Sequence, residues 1–403
     1  MTLTKSRPSV RPAQPLGAVF SARRASFDCF SASVTAASST ALNCSVARRV
    51  VLRSECAMGN EARGVRRGLQ PVFIAGAAVA AWTVQRRAEA ADLERYPPPG
   101  QLIDVGGRRL HVQDHGGIGP PMMISTGAGT PASDWDPIVD RLRAVGHVFS
   151  YERAGMGWSD GGPWRPDATR TVNDLHRVLQ ELRSQGIDGP WILIGHSLGG
   201  LFVRQFAGRF PDRVAGLVLV DPTHEELLRR GRAVFGRKAM AAQMAMTLVY
   251  VGFPRSVARL VLALGGLTFA RKLVGGATDE DVRRNVSLYL RSGFRRSYFS
   301  EMASVPAIAR DLLADPPVLG SSPVAVVTAA PPEDPSSLMG RFRKDWLEMH
   351  EAIARSSSRS VRLTADRGGH FIYKDDPDTV IKALNWTSRQ GAHNDLGHTL
   401  PTS

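Results

Sequence analysis

The stretch Trp191-Ile192-Leu193-Ile194-Gly195-His196-Ser197-Leu198-Gly199-Gly200 decides the fold. Four apolar residues in a row read as a strand buried on both faces, and Leu198–Phe210 reads as a helix. A strand that enters a helix through G-x-S-x-G must turn sharply, which only small neighbours allow. Such a turn lifts the serine hydroxyl to the strand end, beside the positive end of the helix. The stretch therefore predicts a nucleophilic Ser197; the plainer alternative is a serine serving only the turn.

The same alternation extends outward. QLIDVGG and RRLHVQDHG form a predicted hairpin around Gly106-Gly107. Further short apolar runs follow at 121–126, 147–152, 214–221, 323–329 and 360–365. Helical patterns separate them at Asp134–Ala144, at Thr171–Ser184 and at Pro377–Leu384. Strands alternating with helices imply a mostly parallel sheet covered on both faces. Residues 222–305 break the rhythm: they carry no strand signal and read as a helical lid or, alternatively, as extra helices enlarging the core, with an apolar segment from Ala241 to Ala270.

Charge separates the chain into parts. Its 403 residues carry a net charge of +14. Residues 1–88 hold 13 Lys/Arg against three acids, whereas the other 315 residues are only +4. The lid region 225–300 is +9 by itself. This distribution disfavours a nucleic-acid-binding catalytic domain. Cys29, Cys44 and Cys56 all lie near the N-terminus, which excludes a thiol nucleophile, a cysteine-zinc site or a disulfide framework in the main domain.

The Ser-, Ala- and Arg-rich stretch 1–65 has the composition of a transit segment, for a chloroplast or alternatively a mitochondrion. Leu69–Val84 is free of charge and flanked by arginine pairs. As a helix it would cover roughly 24 Å, so residues 66–88 suggest a single membrane anchor. The alternatives are the apolar part of a cleaved signal ending at Ala88-Glu89-Ala90, or a soluble helix. Residues 89–100 read as a Pro-rich linker. The catalytic core is then expected over 101–221 and 306–390, with 391–403 a disordered tail.

A serine nucleophile needs a base. His370, on a Gly-rich loop after the last strand, is in the right place. Its orienting acid is either Asp221, ending the run at 214–221, or the runner-up Asp334, after 323–329. The oxyanion donors expected are the N–H groups of Leu198, after the nucleophile, and Ala128, in Thr126-Gly127-Ala128-Gly129. His196 is expected to support the turn. No metal-ligand spacing occurs, and no cofactor is implied.

These features together resemble the α/β-hydrolase superfamily over residues 101–388. Tyr151-Glu152-Arg153-Ala154-Gly155-Met156-Gly157-Trp158-Ser159 is similar to its D-R-x-G-x-G-x-S segment, with Glu152 in place of Asp. Phe210-Pro211-Asp212-Arg213-Val214 resembles the lead into its sixth strand, and Gly369-His370 its terminal histidine motif. The pattern most resembles membrane-anchored or plastid-type serine hydrolases. The resemblance implies an eight-stranded, mostly parallel sheet with a lid after strand six, and a Ser-His-Asp triad; in some members the acid follows strand six, as Asp221 does. Two departures stand out: Thr126-Gly127 replaces the usual His-Gly, and strand seven lacks the common G-x-x-D.

The expected activity is cleavage of a lipophilic carboxylic ester, a small-molecule acyl substrate. Acyl transfer or iminopeptidase-like amide cleavage on the same triad is a second reading, and a non-catalytic ligand receptor a third. Membrane contact is expected through 69–84 and through the lid.

Overall fold

The computed structural model describes residues 82–162, 166–226, 255–276, 278–330 and 336–395, with Gly76, Val79, Ala80 and Asp334. The chain divides into two compact units, Met1–Val84 and Gln85–Ser403. The targeting stretch 1–65 lies outside the described residues, as do most of 69–84 and of the apolar lid segment 241–270 up to residue 254. Among the described residues, no helix is long and apolar enough to cross a membrane.

Helix α1 runs over 82–95, further than the linker expected from residue 89. The sequence Ala-Glu-Ala-Ala-Asp-Leu-Glu favours helix, and the prolines from Pro97 stop it. Hairpin strands β1 (Gln101–Asp104) and β2 (Arg109–Gly116) follow, joined through Gly106 and Gly107 at φ 89° and 86°. Then come β3 (Pro121–Ser125), α2 (Asp136–Arg143), β4 (His147–Tyr151) and α3 (Ala168–Ser184). They lead to β5 (Trp191–His196), α4 (Leu198–Arg209) and β6 (Val214–Val220).

Among the described residues, four helices then precede the next strand: α5 (Arg255–Ala263), α6 (Leu267–Val274), α7 (Asp279–Tyr289) and α8 (Ser292–Ala314). Helix α8 passes through residue 305 with Pro306 inside it, so the expected lid boundary falls within one continuous helix. The chain closes with β7 (Val324–Thr328), α9 (Leu338–Arg355), β8 (Ser360–Thr364), the single turn α10 (Ile372–Asp375) and α11 (Pro377–Asp395). Helix α11 reaches past the expected tail boundary at 391, because Trp386 and Thr387 continue its packing onto the sheet.

One eight-stranded sheet results, ordered β1-β2-β4-β3-β5-β6-β7-β8, parallel from β4 onward with an antiparallel hairpin at one edge. Side chains alternate across a strand, so the sheet splits its apolar residues into two cores. Met123, Leu193, Leu217 and Val326 pack with Leu175 and Val178 of α3, Phe206 of α4 and Ile353 of α9. On the opposite face, Met122, Ile194, Val218 and Val327 pack with Ile138 and Leu142 of α2 and with Val380 and Leu384 of α11. Burial on both faces explains why the central strands read as unbroken apolar runs.

Candidate active site

The parallel strands β3, β5, β6 and β7 deliver four loops to one end of the sheet. Ser197 follows β5 at φ 51° and ψ −121°, a conformation that side chains other than glycine rarely hold. The surrounding glycines show why it is accepted. A Cβ on Gly195 would press on Gly200 and Val203, and one on Gly200 would press on Pro222. A Cβ on Gly199 would run into the carbonyl oxygens of Ser125 and Thr126. The turn is clamped further by the Ser197 N–H donating to Val220 O at 3.1 Å and by Thr223 N–H donating to Ser197 O at 2.9 Å.

His370 lies on the loop between β8 and α10. Its Nε2 is 2.9 Å from Ser197 Oγ and its Nδ1 2.7 Å from Asp221 Oδ2. With the Asp221 carboxylate accepting from Nδ1–H, the Nε2 lone pair is left for the serine hydroxyl proton. Asp221, directly after β6, is fully buried and also sits at positive φ, 43°. Burial alone would raise its pKa, but the His370 hydrogen bond and the charges of His370 and Arg343 hold it well below the usual carboxylate range. The Ala329 N–H also donates to Asp221 Oδ1, at 3.0 Å. Asp334 does something else: it is exposed and accepts from the N–H and hydroxyl of Ser336 at 2.8 and 2.7 Å, a local turn bond just before α9. The structure thus brings Ser197, His370 and Asp221 together and leaves Asp334 outside.

The loop after β3 lies against the turn. A Cβ on Gly127 would come 3.3 Å from Ser197 Cβ and 2.8 Å from His196 Nδ1. Among the described residues, neither the Ala128 nor the Leu198 N–H is taken by a backbone acceptor. His196 does more than support the turn. Its Nε2 lies 2.9 Å from His370 O, where only the N–H form can bond, so it fixes the backbone of His370. Burial first, then the nearby His370, pushes its pKa down to about 3 and keeps it neutral.

Three supporting residues were given no role by the sequence patterns, although Arg153 lies within the segment 151–159 quoted above. Arg343 of α9 donates to both Asp221 oxygens, at 3.0 and 3.1 Å. His350, also on α9, bridges Thr328 Oγ1 and Pro222 O, which braces the segment after Asp221 against β7. Arg153, after β4, reaches the carbonyls of Thr126 and Gly127. The apolar spacing of Leu338, Phe342, Trp346, Met349 and Ile353 could have revealed α9, though not where Arg343 points.

Glu152, where Asp is usual, is wholly buried. Its Oε1 accepts from the Ala132 N–H at 3.0 Å, and Gly157 (φ 46°) leaves room for the longer side chain. Burial pushes its pKa up to about 7 against the pull of the Ala132 N–H and Arg153.

Comparison with known proteins gives a consistent picture. Residues 115–383 match the model of the "Alpha/beta hydrolase family". The "Putative carbamate hydrolase RutD" of Variovorax paradoxus is 33% identical over 133 residues, 32% of this chain and 49% of that protein. Lipase LipV of Mycobacterium tuberculosis is 35% identical over 115 residues, 28% of this chain and 41% of that protein. The chain thus spans less than half the length of these relatives. A solved structure from Nostoc sp. PCC 7120, described as "a putative alpha/beta hydrolase", is similar at a TM-score of 0.52 and 16% identity, covering 74% of this chain and 97% of that one; at that identity the likeness shows the fold alone.

Proposed function

The chain belongs to the alpha/beta hydrolase family, and on that footing we propose that it is a serine hydrolase cleaving a carboxylic ester through Ser197, His370 and Asp221. The observation that carries this reading is the relay from Ser197 Oγ to His370 Nε2 at 2.9 Å and from His370 Nδ1 to Asp221 Oδ2 at 2.7 Å. In the first step His370 Nε2 takes the hydroxyl proton as Ser197 Oγ attacks the ester carbonyl. Leu198 and Ala128 N–H groups receive the oxyanion. His370 then passes the proton to the departing alkoxide, leaving an acyl-enzyme. Water, deprotonated by the same nitrogen, releases the acid and restores Ser197. Asp221 stays ionised throughout, holding the ring and stabilising the imidazolium.

The substrate is read as lipophilic because the insertion between β6 and β7 presents large apolar residues: Leu260, Leu264 and Phe269 are all more than half exposed. One relative is named for a carbamate, so amide-like and carbamate substrates form the second reading. A fluorophosphonate should label the protein, and Ser197→Ala should abolish that labelling. Acyl esters from acetyl to palmitoyl, run beside matching carbamates and amides, then assign the class. A folded protein that takes no label and turns over none of them would instead favour a ligand receptor.

For location, the composition of 1–65 and the charge-free run 69–84 support a chloroplast membrane, with a mitochondrial membrane as the alternative. Imaging and carbonate extraction of a C-terminally tagged chain test both parts; a soluble cytosolic pool would count against them.

A further inference from the structure

Arg153 and Glu301 form a buried ion pair that reaches from the lid insertion to the loop of the candidate oxyanion donor. Glu301 lies on α8; Arg153 Nε donates to its Oε1 at 2.6 Å and Nη2 to its Oε2 at 3.0 Å. Only 4% and 6% of the two side chains are exposed. The same guanidinium donates from Nη1 to Thr126 O at 2.6 Å and from Nη2 to Gly127 O at 2.9 Å. It therefore grips two successive peptide carbonyls immediately before Ala128. In a trans peptide the N–H points opposite to the C=O. Holding Gly127 O toward Arg153 thus turns the Ala128 N–H away from it, on a loop that touches Ser197 and His196.

Helix α8 fits this loop closely at neighbouring positions. A Cβ on Gly129 (φ 63°) would strike the Tyr298 ring, and one on Gly155 (φ 77°) would strike Ser297 Oγ. One turn further on, Val305 and Ile308 share a core with Leu198 and Phe202, against which Ala128 packs. Residues 297, 298 and 301 thus form one face seated on both loops. Far from being a detachable cover, α8 is the back wall of the oxyanion loop.

We infer that Arg153 is a positioning residue that aims the Ala128 N–H at the developing oxyanion, and that Glu301 locks this setting to α8. The inference rests on the serine-hydrolase reading and deepens it. An oxyanion donor is worth about 10²–10³ in kcat, and misdirecting it should forfeit much of that while leaving ground-state binding alone.

Arg153→Lys tests this. Lysine keeps a charge for Glu301 but lacks the planar fork that bonds two carbonyls and a carboxylate together. With a short activated ester the expected result is a fall in kcat of about 30-fold or more, with KM within about twofold. A boronic acid that mimics the tetrahedral intermediate should weaken by a similar factor. Glu301→Gln keeps the shape of the wall and should show a smaller loss with the same kcat-only character. Should Arg153→Lys fail to fold, Glu301→Gln carries the test. Unchanged kcat in the folded variants, or a loss confined to KM, overturns the inference. If the wild type itself shows no Ser197-dependent labelling, the serine-hydrolase reading has failed instead.

Discussion

Arg343 Nη2 lies 3.0 Å from Asp221 Oδ1 and Arg343 Nη1 lies 3.1 Å from Asp221 Oδ2, an end-on bidentate pair between α9 and the loop after β6. With His370 and the Ala329 N–H, Asp221 accepts four hydrogen bonds inside the protein. Such a charge tolerates full burial only because it is so completely paired. Arg343→Met should therefore destabilise the fold by on the order of 3 kcal/mol, since it leaves a buried carboxylate short of charge. It should also lower kcat, because Asp221 would lose the anchor that fixes its plane. Chemical denaturation and ester turnover check the two effects; a variant as stable and active as wild type would refute the role.

The acid itself separates more sharply. Asp221→Asn keeps the shape but favours the wrong imidazole tautomer, and a drop of about 10⁴-fold in kcat is expected. Asp334→Asn should leave kcat within about twofold, because Asp334 bonds Ser336 in an exposed turn. Steady-state kinetics on both variants decide it, and comparable losses in the two would contradict the geometry.

The contrast between these two acids shows how far the sequence could be read. The strands were legible because β3, β5, β6 and β7 are buried on both faces and so appear as uninterrupted apolar runs. Ser197 and His370 were legible because the elbow and the final Gly-His loop are local patterns. Asp221 and Asp334 both follow strands, and only the direction of the chain after β6 brings one of them to His370. Arg343, and the role of Arg153 within its motif, were out of reach for a related reason. Arg153 and Glu301 are 148 positions apart, so nothing in the local pattern of either announces the partner. Segment ends were misread where a helix former adjoined a breaker, as at 89–95.

The close approach of α4 to the loop after β3 gives a steric test. Gly199→Ala would push a methyl group into Ser125 O and Thr126 O, both backbone atoms with little freedom to retreat. Overpacking of this kind costs about 1–3 kcal/mol, and the displaced loop should take the candidate donor Ala128 with it. Activity should fall far more than stability. Gly369→Ala is the control: it adjoins His370, but its Cβ would meet nothing within 4 Å. Melting temperatures and turnover of the pair test this, and equal behaviour would argue against a rigid contact at Gly199.

Buried titratable groups predict the shape of stability against pH. Burial, the largest influence on each, lowers the pKa of His111, His115 and His350 to about 4 and of His196 to about 3. The unfolded chain takes up protons on these groups below about pH 6.5 while the native state does not. More protons bound by the unfolded state means stability falls on acidification, from about pH 6.5 down to 4. Glu152 acts in the opposite sense. Its folded pKa of about 7 exceeds the ordinary 4.5, so between those values the native state holds the extra proton. Its contribution therefore weakens as pH rises through that window and is lost above about pH 7. Glu152→Gln removes this one dependence: relative to wild type, the variant should gain on the order of 3 kcal/mol between pH 4.5 and 7 and then level off. Urea titrations of both proteins across that range provide the measurement, and a difference independent of pH would mean that Glu152 is already ionised in the fold.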